Sequence, residues 1–176
     1  VDKEEIGSVG ATGMHSRFFE NAVAEIMDAA GDYSELKVRR ALQSSRMLSS
    51  DVSAAYDPLY PEVFEKKNTA YFGRGLVLNK YTGSRGKNGT SDANAEYVAK
   101  VRNVFDNNHV AFQTAELGKV DQGGGGTIAY VMANKAMSVI DSGVAVLSMH
   151  APYEVTSKVD IYEARRAYEA FLLEMK

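Results

Sequence analysis

The run VAVLSM, from Val144 to Met149, constrains the fold of this chain more than any other stretch. It is apolar almost throughout and lacks the alternation of a strand that has one face in water. Continuous apolar strands of this kind occur in sheets that are covered by helices on both faces. The run therefore predicts a buried strand within an α/β domain.

The remaining pattern agrees with that class of fold. Strands are predicted at 46–52, 76–78, 110–116 and 138–140, and helices at 16–30, 34–44, 91–105, 127–135 and 159–176. Because helices separate the strands along the chain, we expect an α/β fold with a central, mostly parallel sheet flanked by helices. Functional groups in such sheets collect at the carboxyl ends of strands.

Composition narrows the class of protein. A length of 176 residues suits one domain, and a net charge of −3 offers no general basis for binding nucleic acid. The chain has no cysteine, which excludes disulfides and thiolate metal sites and is compatible with the cytoplasm. No apolar run approaches the roughly 20 residues that cross a bilayer, and the acidic N-terminus is unlike a signal peptide. We expect neither nucleic acid nor a membrane as a partner. We expect the protein to be cytoplasmic.

Two adjacent carboxylates, Glu4 and Glu5, stand near the start of the chain, before three closely spaced glycines. The glycines disfavour a helix, and adjacent side chains on non-helical backbone point in different directions. One carboxylate can then ligate a metal while its neighbour takes a proton from water that the metal acidifies. Metal-assisted hydrolysis needs this pairing of a ligand with a base.

Asp51 and His150 follow predicted strands and are candidates for the same site. His150 comes directly after the VAVLSM run, and Asp51 follows the strand that starts at Arg46. An aspartate after two serines is also a common turn former. The other histidines, His15 and His109, lie before a helix and in a polar turn, and we interpret both as structural.

The segment DQGGGGTIA, from Asp121 to Ala129, is the other unusual stretch. It could cradle a phosphate at a helix N-terminus, although it lacks the order of residues of a nucleotide-binding P-loop. It could instead be a loop whose bare backbone lets a peptide approach closely, or a purely structural loop. Lys80 and Arg85 are cationic residues near a predicted strand end and an exposed loop, and solvated surface charge is the default interpretation of both.

These motifs together resemble the C-terminal part of the aspartyl aminopeptidase and aminopeptidase I family of dinuclear zinc exopeptidases. The resemblance rests on DKEEIGS at 2–8, SSD at 49–51, DQGGGGTIA and VAVLSMHAPYEVTSKVD at 144–160, in that order. It implies a catalytic domain of the zinc-exopeptidase type that removes N-terminal residues from peptides. It also implies two divalent metal ions, zinc foremost, with manganese or cobalt as alternatives, and a homo-oligomeric enzyme.

The resemblance assigns a role to each matching residue. Glu4 matches the general base, Glu5 a ligand of one metal, Asp51 a ligand of the other, and His150 the histidine that shares a metal with Glu5. Four residues around the glycine run match the substrate-binding loop of the family: Asp121, Gly125, Gly126 and Thr127. Lys80, at the end of a predicted strand, matches a lysine near the site.

The sequence departs from the family in what it lacks. A second histidine and a bridging aspartate, together with an inserted assembly domain, lie upstream of the Glu–Glu pair in the family. We therefore expect residues 1–176 to be the C-terminal portion of a catalytic domain, inactive in isolation. Two alternatives remain at this point: a non-catalytic scaffold piece, and a phosphate-binding α/β domain that uses the glycine run.

Overall fold

The computed structural model describes residues 8–83, 85 and 91–175 of the chain. Five α-helices occur in these ranges, and they are α1 (Phe18–Ala29), α2 (Glu35–Ser44), α3 (Ala95–Asn107), α4 (Ala129–Ala133) and α5 (Lys158–Glu174). The strands in the same ranges are β1 (Arg46–Ser49), β2 (Ser53–Ala54), β3 (Leu76–Asn79), β4 (Phe112–Thr114), β5 (Ser138–Gly143), β6 (Ala145–Leu147) and β7 (Val155–Thr156). A short 3₁₀ turn covers Pro61–Val63.

The strands form two mixed sheets. The larger has the order β1-β5-β3-β4, and the smaller has the order β2-β6-β7. The pairs β1–β5, β2–β6 and β3–β4 are parallel, whereas β3–β5 and β6–β7 are antiparallel. The predicted α/β class is confirmed. Among the described strands, three pairs are parallel and two pairs are antiparallel.

Helices cover both faces of the larger sheet, as the apolar strands predict. On β5, Ile140 packs into a cluster with residues of α3 and α5, whereas its neighbour Val139 packs into a second cluster with residues of α1, α2 and α4. Successive side chains of a strand point to opposite faces of the sheet. The packing of these two neighbours therefore shows that helices lie on both faces of the larger sheet. All four residues of β3 are buried as well: Leu76 and Leu78 pack in the first cluster, and Val77 packs in a third cluster with Ala145 of β6.

The chain changes sheets at Gly143. The sequence predicts one short strand at 138–140 and another through Met149, whereas the structure has β5 running to Gly143 and β6 occupying only Ala145–Leu147 in the other sheet. A Cβ at position 143 would collide with the backbone carbonyl of Asp51. Glycine therefore permits the close crossing that places the Asp51 turn against the β5–β6 connection.

Helix ends differ from the predictions by a few residues, for local reasons. α3 begins at Ala95 rather than near Ser91 because the Asn94 side chain accepts a hydrogen bond from the Tyr97 amide (2.7 Å) and caps the helix. α4 spans only Ala129–Ala133, shorter than the predicted 127–135. Across the described ranges, no helix has the length and apolar character needed to cross a membrane.

Candidate active site

A cavity of about 980 Å³ brings most of the predicted site residues together. Asp51 and His150 line it, as do Gly125, Gly126 and Thr127 of the glycine run. Ser8, His15, Tyr130 and Glu154 are further polar residues in its wall. The cavity thus joins segments that are distant in sequence, at the ends of strands, as the α/β pattern predicts.

Asp51 lies in the turn between β1 and β2. Its Oδ1 accepts a hydrogen bond from the Val52 amide (2.7 Å), and its own amide donates to the Ser49 carbonyl (3.1 Å). These local bonds define the direction of the carboxylate from the end of β1. The tight contact of its backbone with Gly143 holds the turn from the other side.

His150 lies in a strained turn after β6. Ser148 and His150 both have positive φ values, 58° and 68°, which cost roughly 1 kcal/mol each for residues other than glycine. Two hydrogen bonds hold the turn: the Ala151 amide donates to the Ser148 carbonyl (2.9 Å), and the His150 amide donates to Glu154 Oε1 (2.6 Å). Left-handed backbone at non-glycine residues clusters at functional sites, which suits a ligand position.

The glycine run forms an open wall of the cavity. A Cβ added at Gly125 would meet no atom within 4 Å, so the bare backbone there leaves space for a bound molecule. The Thr127 hydroxyl accepts a hydrogen bond from the Ala129 amide (3.2 Å), which ties the loop to α4. Because α4 is only five residues long, its dipole offers little to a phosphate, and the phosphate-binding alternative loses its main support.

Two predicted substrate-binding residues, Lys80 and Asp121, lie outside the lining of this cavity. The Lys80 ammonium forms an ion pair with Asp92, and the exposed Asp121 donates its amide to the Arg85 carbonyl (2.9 Å). Their role in substrate binding stays a prediction. Glu4 and Glu5, the predicted base and ligand, lie outside the described residues.

Asp141 is a buried carboxyl group beside Thr127 of the cavity wall, and the sequence analysis does not single it out. It is 4% exposed in β5, opposite Ser49 of β1. Burial raises the pKa of Asp141, and the hydroxyls of Thr127, Ser49 and Thr82 act in the opposite direction. The local signal in the sequence is a carboxylate directly after the apolar pair Val139 and Ile140, in SVIDSG.

The histidine that the sequence analysis interprets as structural, His15, also lines the cavity. Its Nε2 lies 2.7 Å from the Tyr130 hydroxyl. Tyr130 belongs to α4, which follows the glycine run. Nothing in the local sequence relates the two residues, because 115 positions separate them.

The donor set fits a metal ion in its chemistry. Asp51 and His150 supply a carboxylate and an imidazole to one cavity, and zinc accepts both in catalytic sites. Within residues 8–83, 85 and 91–175, no three histidine, aspartate or glutamate side chains are grouped closely enough to hold a metal. The described residues therefore provide part of a ligand set.

A carboxylate, an imidazole and bare glycine backbone in one cavity of an α/β domain are compatible with part of the site of a metal-dependent hydrolase. A family model described as "Aminopeptidase I zinc metalloprotease (M18)" matches residues 1–172. The chain belongs to this family.

Individual relatives agree with that membership. The chain is 66% identical, over 172 residues, to a probable M18 family aminopeptidase 1 of Clostridium acetobutylicum, covering 98% of this chain and 37% of the relative. It is also similar to two crystal structures. One is aminopeptidase I from the same organism, with 64% identity and a TM-score of 0.86 over 97% of this chain and 36% of that one. The other is an M18 aminopeptidase from Thermotoga maritima, with 46% identity and a TM-score of 0.92 over 97% and 38%. The chain thus spans little more than a third of the length of these relatives.

Proposed function

We propose that this chain forms the C-terminal part of the catalytic domain of a longer metal-dependent aminopeptidase that releases N-terminal residues from peptides. The observation that carries the proposal is the convergence of Asp51, His150 and the glycine run on one cavity. Family membership supports zinc and a peptide substrate. A cytoplasmic, homo-oligomeric enzyme completes the proposal, and several exposed apolar side chains, such as Leu172 at 82% exposure, are compatible with subunit contacts.

The proposed ligand set is Glu5 and His150 for one metal and Asp51 for the other, with further ligands from upstream sequence. Ser8 lines the cavity, and the three residues from Glu5 to Ser8 can span up to about 10 Å. When bound, the two metal ions would acidify a water molecule and polarise the scissile carbonyl. Carboxylate and imidazole ligands also accept manganese or cobalt.

Different residues of the chain have different roles in this reaction. Glu4 takes a proton from the attacking water and returns it to the leaving amine, as a general base and then a general acid. The open backbone at Gly125, next to Gly126 in the cavity wall, gives the peptide room beside the carbonyl under attack. Asp51 and His150, each held by a turn at a strand end, keep the metal ligands in a defined geometry before substrate arrives.

Metal removal tests this proposal on the longer polypeptide. We expect a chelator to abolish release of the first residue from a peptide with a free N-terminus, and added zinc, manganese or cobalt to restore it. The same peptide with an acetylated N-terminus is the control and should stay intact throughout. Full activity in the metal-free protein would contradict the proposal, and an absence of both metal binding and hydrolysis would favour a scaffold.

A substitution at Glu154 tests the turn that carries His150. Glu154→Ala removes the acceptor for the His150 amide, and we expect the zinc dissociation constant to rise about 10-fold or more, as when other groups that orient a ligand are removed. Glu154→Gln keeps an oxygen acceptor and should stay within about 3-fold of wild type. Competition with a chromophoric chelator measures the affinity.

Tyr153→Ala is the matched control for Glu154→Ala. It truncates the neighbouring side chain, which is 87% exposed, and should leave zinc affinity unchanged. Equal zinc affinities for Glu154→Ala and wild type would show that the His150 turn keeps its shape without this hydrogen bond.

A further inference from the structure

The hydrogen bond between His15 and Tyr130 connects two walls of the active-site cavity. His15 Nε2 and the Tyr130 hydroxyl are 2.7 Å apart, and the two ring centroids are separated by 5.5 Å at a tilt of 60°. Both residues line the cavity. One belongs to the segment that follows the Glu–Glu pair, and the other belongs to the helix that follows the glycine run.

The His15 side of this contact is a closed loop. The His15 amide donates to the Ser8 carbonyl (3.1 Å), and the Ser16 hydroxyl donates to the Gly13 carbonyl (2.7 Å). A Cβ at Gly13 would collide with the Ser8 carbonyl, so glycine allows the loop to close. A displacement of His15 would therefore move Ser8, which itself lines the cavity.

The Tyr130 side is tied to the glycine run in a similar way. Tyr130 follows Ala129, whose amide donates to the Thr127 hydroxyl. Tyr130 also packs, together with Met14, against the apolar cluster that contains Met132. The Tyr130 ring thus packs against the core while its hydroxyl faces His15. A shift of the glycine run would therefore shift the Tyr130 ring.

We propose that His15 and Tyr130 are positioning residues that hold the segment after the Glu–Glu pair at a fixed separation from the glycine run. The catalytic consequence rests on the proposed function, because Glu4 and Glu5 lie four and three positions before Ser8, respectively. His15 and Tyr130 act by holding these two segments in place and not by contact with the scissile bond. Its loss should lower turnover more than substrate affinity, since a displaced base slows the chemical step.

The test compares Tyr130→Phe and His15→Asn with wild type in the longer polypeptide. Each removes one partner of a single hydrogen bond, so we expect kcat to fall about 3- to 10-fold with KM changed less than 2-fold. Combining both substitutions should lower kcat no further than either alone, because both remove the same bond. Tyr33→Phe and His109→Asn, at exposed positions outside the cavity lining, are matched controls and should behave as wild type.

Hydrogen exchange provides a readout that does not depend on activity. In both variants, amides at 8–15 and at 123–128 should exchange about 3- to 10-fold faster together, while those of β3 stay unchanged. Unaltered exchange in either segment would overturn the inference, as would a rise in KM with constant kcat, which would make the pair a substrate contact. If the wild-type protein shows no peptidase activity, the proposed function fails, and the exchange measurement still decides whether the two segments are coupled.

Discussion

Glu4→Gln should lower kcat by about 10²- to 10⁴-fold while leaving the fold and the zinc content intact. Glutamine has nearly the size of glutamate but cannot take a proton from the attacking water. Because the proposed base is Glu4 and the proposed ligand is Glu5, the substitution should remove the proton transfer alone. Steady-state hydrolysis of an aminoacyl chromogenic peptide, together with metal analysis of the purified variant, measures both parts of the expectation.

Glu5→Gln is the control that separates the two carboxylates. It removes a proposed metal ligand, so zinc should be lost along with activity, whereas Glu4→Gln keeps its zinc. If Glu4→Gln retained near wild-type kcat, the base would have to be another residue. If instead Glu4→Gln lost its metal and Glu5→Gln kept it, the two assigned roles would be interchanged.

Asp160→Ala should lower the free energy of unfolding by about 3 kcal/mol. Asp160 is fully buried in the first turn of α5, and its two oxygens accept the amides of Gly73 (2.9 Å) and Gly75 (2.8 Å). Alanine would leave the buried Gly75 amide and the more exposed Gly73 amide without this acceptor, and hydrogen bonds to a charged group contribute about 1.5–3 kcal/mol each. Urea unfolding followed by circular dichroism measures the difference.

The position of these glycines explains why Asp160 has such an effect. Gly75 has a φ of 85°, and a Cβ there would collide with the Ala111 carbonyl, so the chain enters β3 through a tight passage that Asp160 stabilises. Glu169→Ala, on an exposed part of α5 where Glu169 pairs with Arg165, is the control and should change stability by less than 1 kcal/mol. A similarly small change in Asp160→Ala would mean that water replaces the lost carboxylate.

Much of the secondary structure could be predicted because it depends on local patterns. The 3.6-residue spacing of α1, the side-chain cap of α2 by Ser34, and the apolar residues of β3 are all visible in short windows of sequence. The division into two sheets was not visible in this way. It depends on Gly143 crossing the Asp51 turn, a contact between residues 92 positions apart.

The residues of the candidate site likewise differ in whether a local sequence pattern could identify them. Asp51 and His150 could be singled out because they follow apolar strands, and the glycine run because of its composition. His15 and Tyr130 could not be singled out, because they reach the cavity through packing between distant segments. Asp141 could not be singled out for a similar reason, since its contact with Thr127 of the cavity wall joins distant segments. Lys80 was singled out in the same way, from its position at the end of a strand, and its side chain pairs with Asp92. Its role in substrate binding stays a prediction.

The sequence by itself determined the α/β class, the family and the residue types available for metal-assisted hydrolysis, because periodicity and short motifs are local properties of the chain. Only the tertiary structure decided which of these residues share a cavity, how the His150 turn is held by Glu154, and that His15 reaches Tyr130. These contacts follow from where helices and strands pack, and packing is determined by the apolar core as a whole.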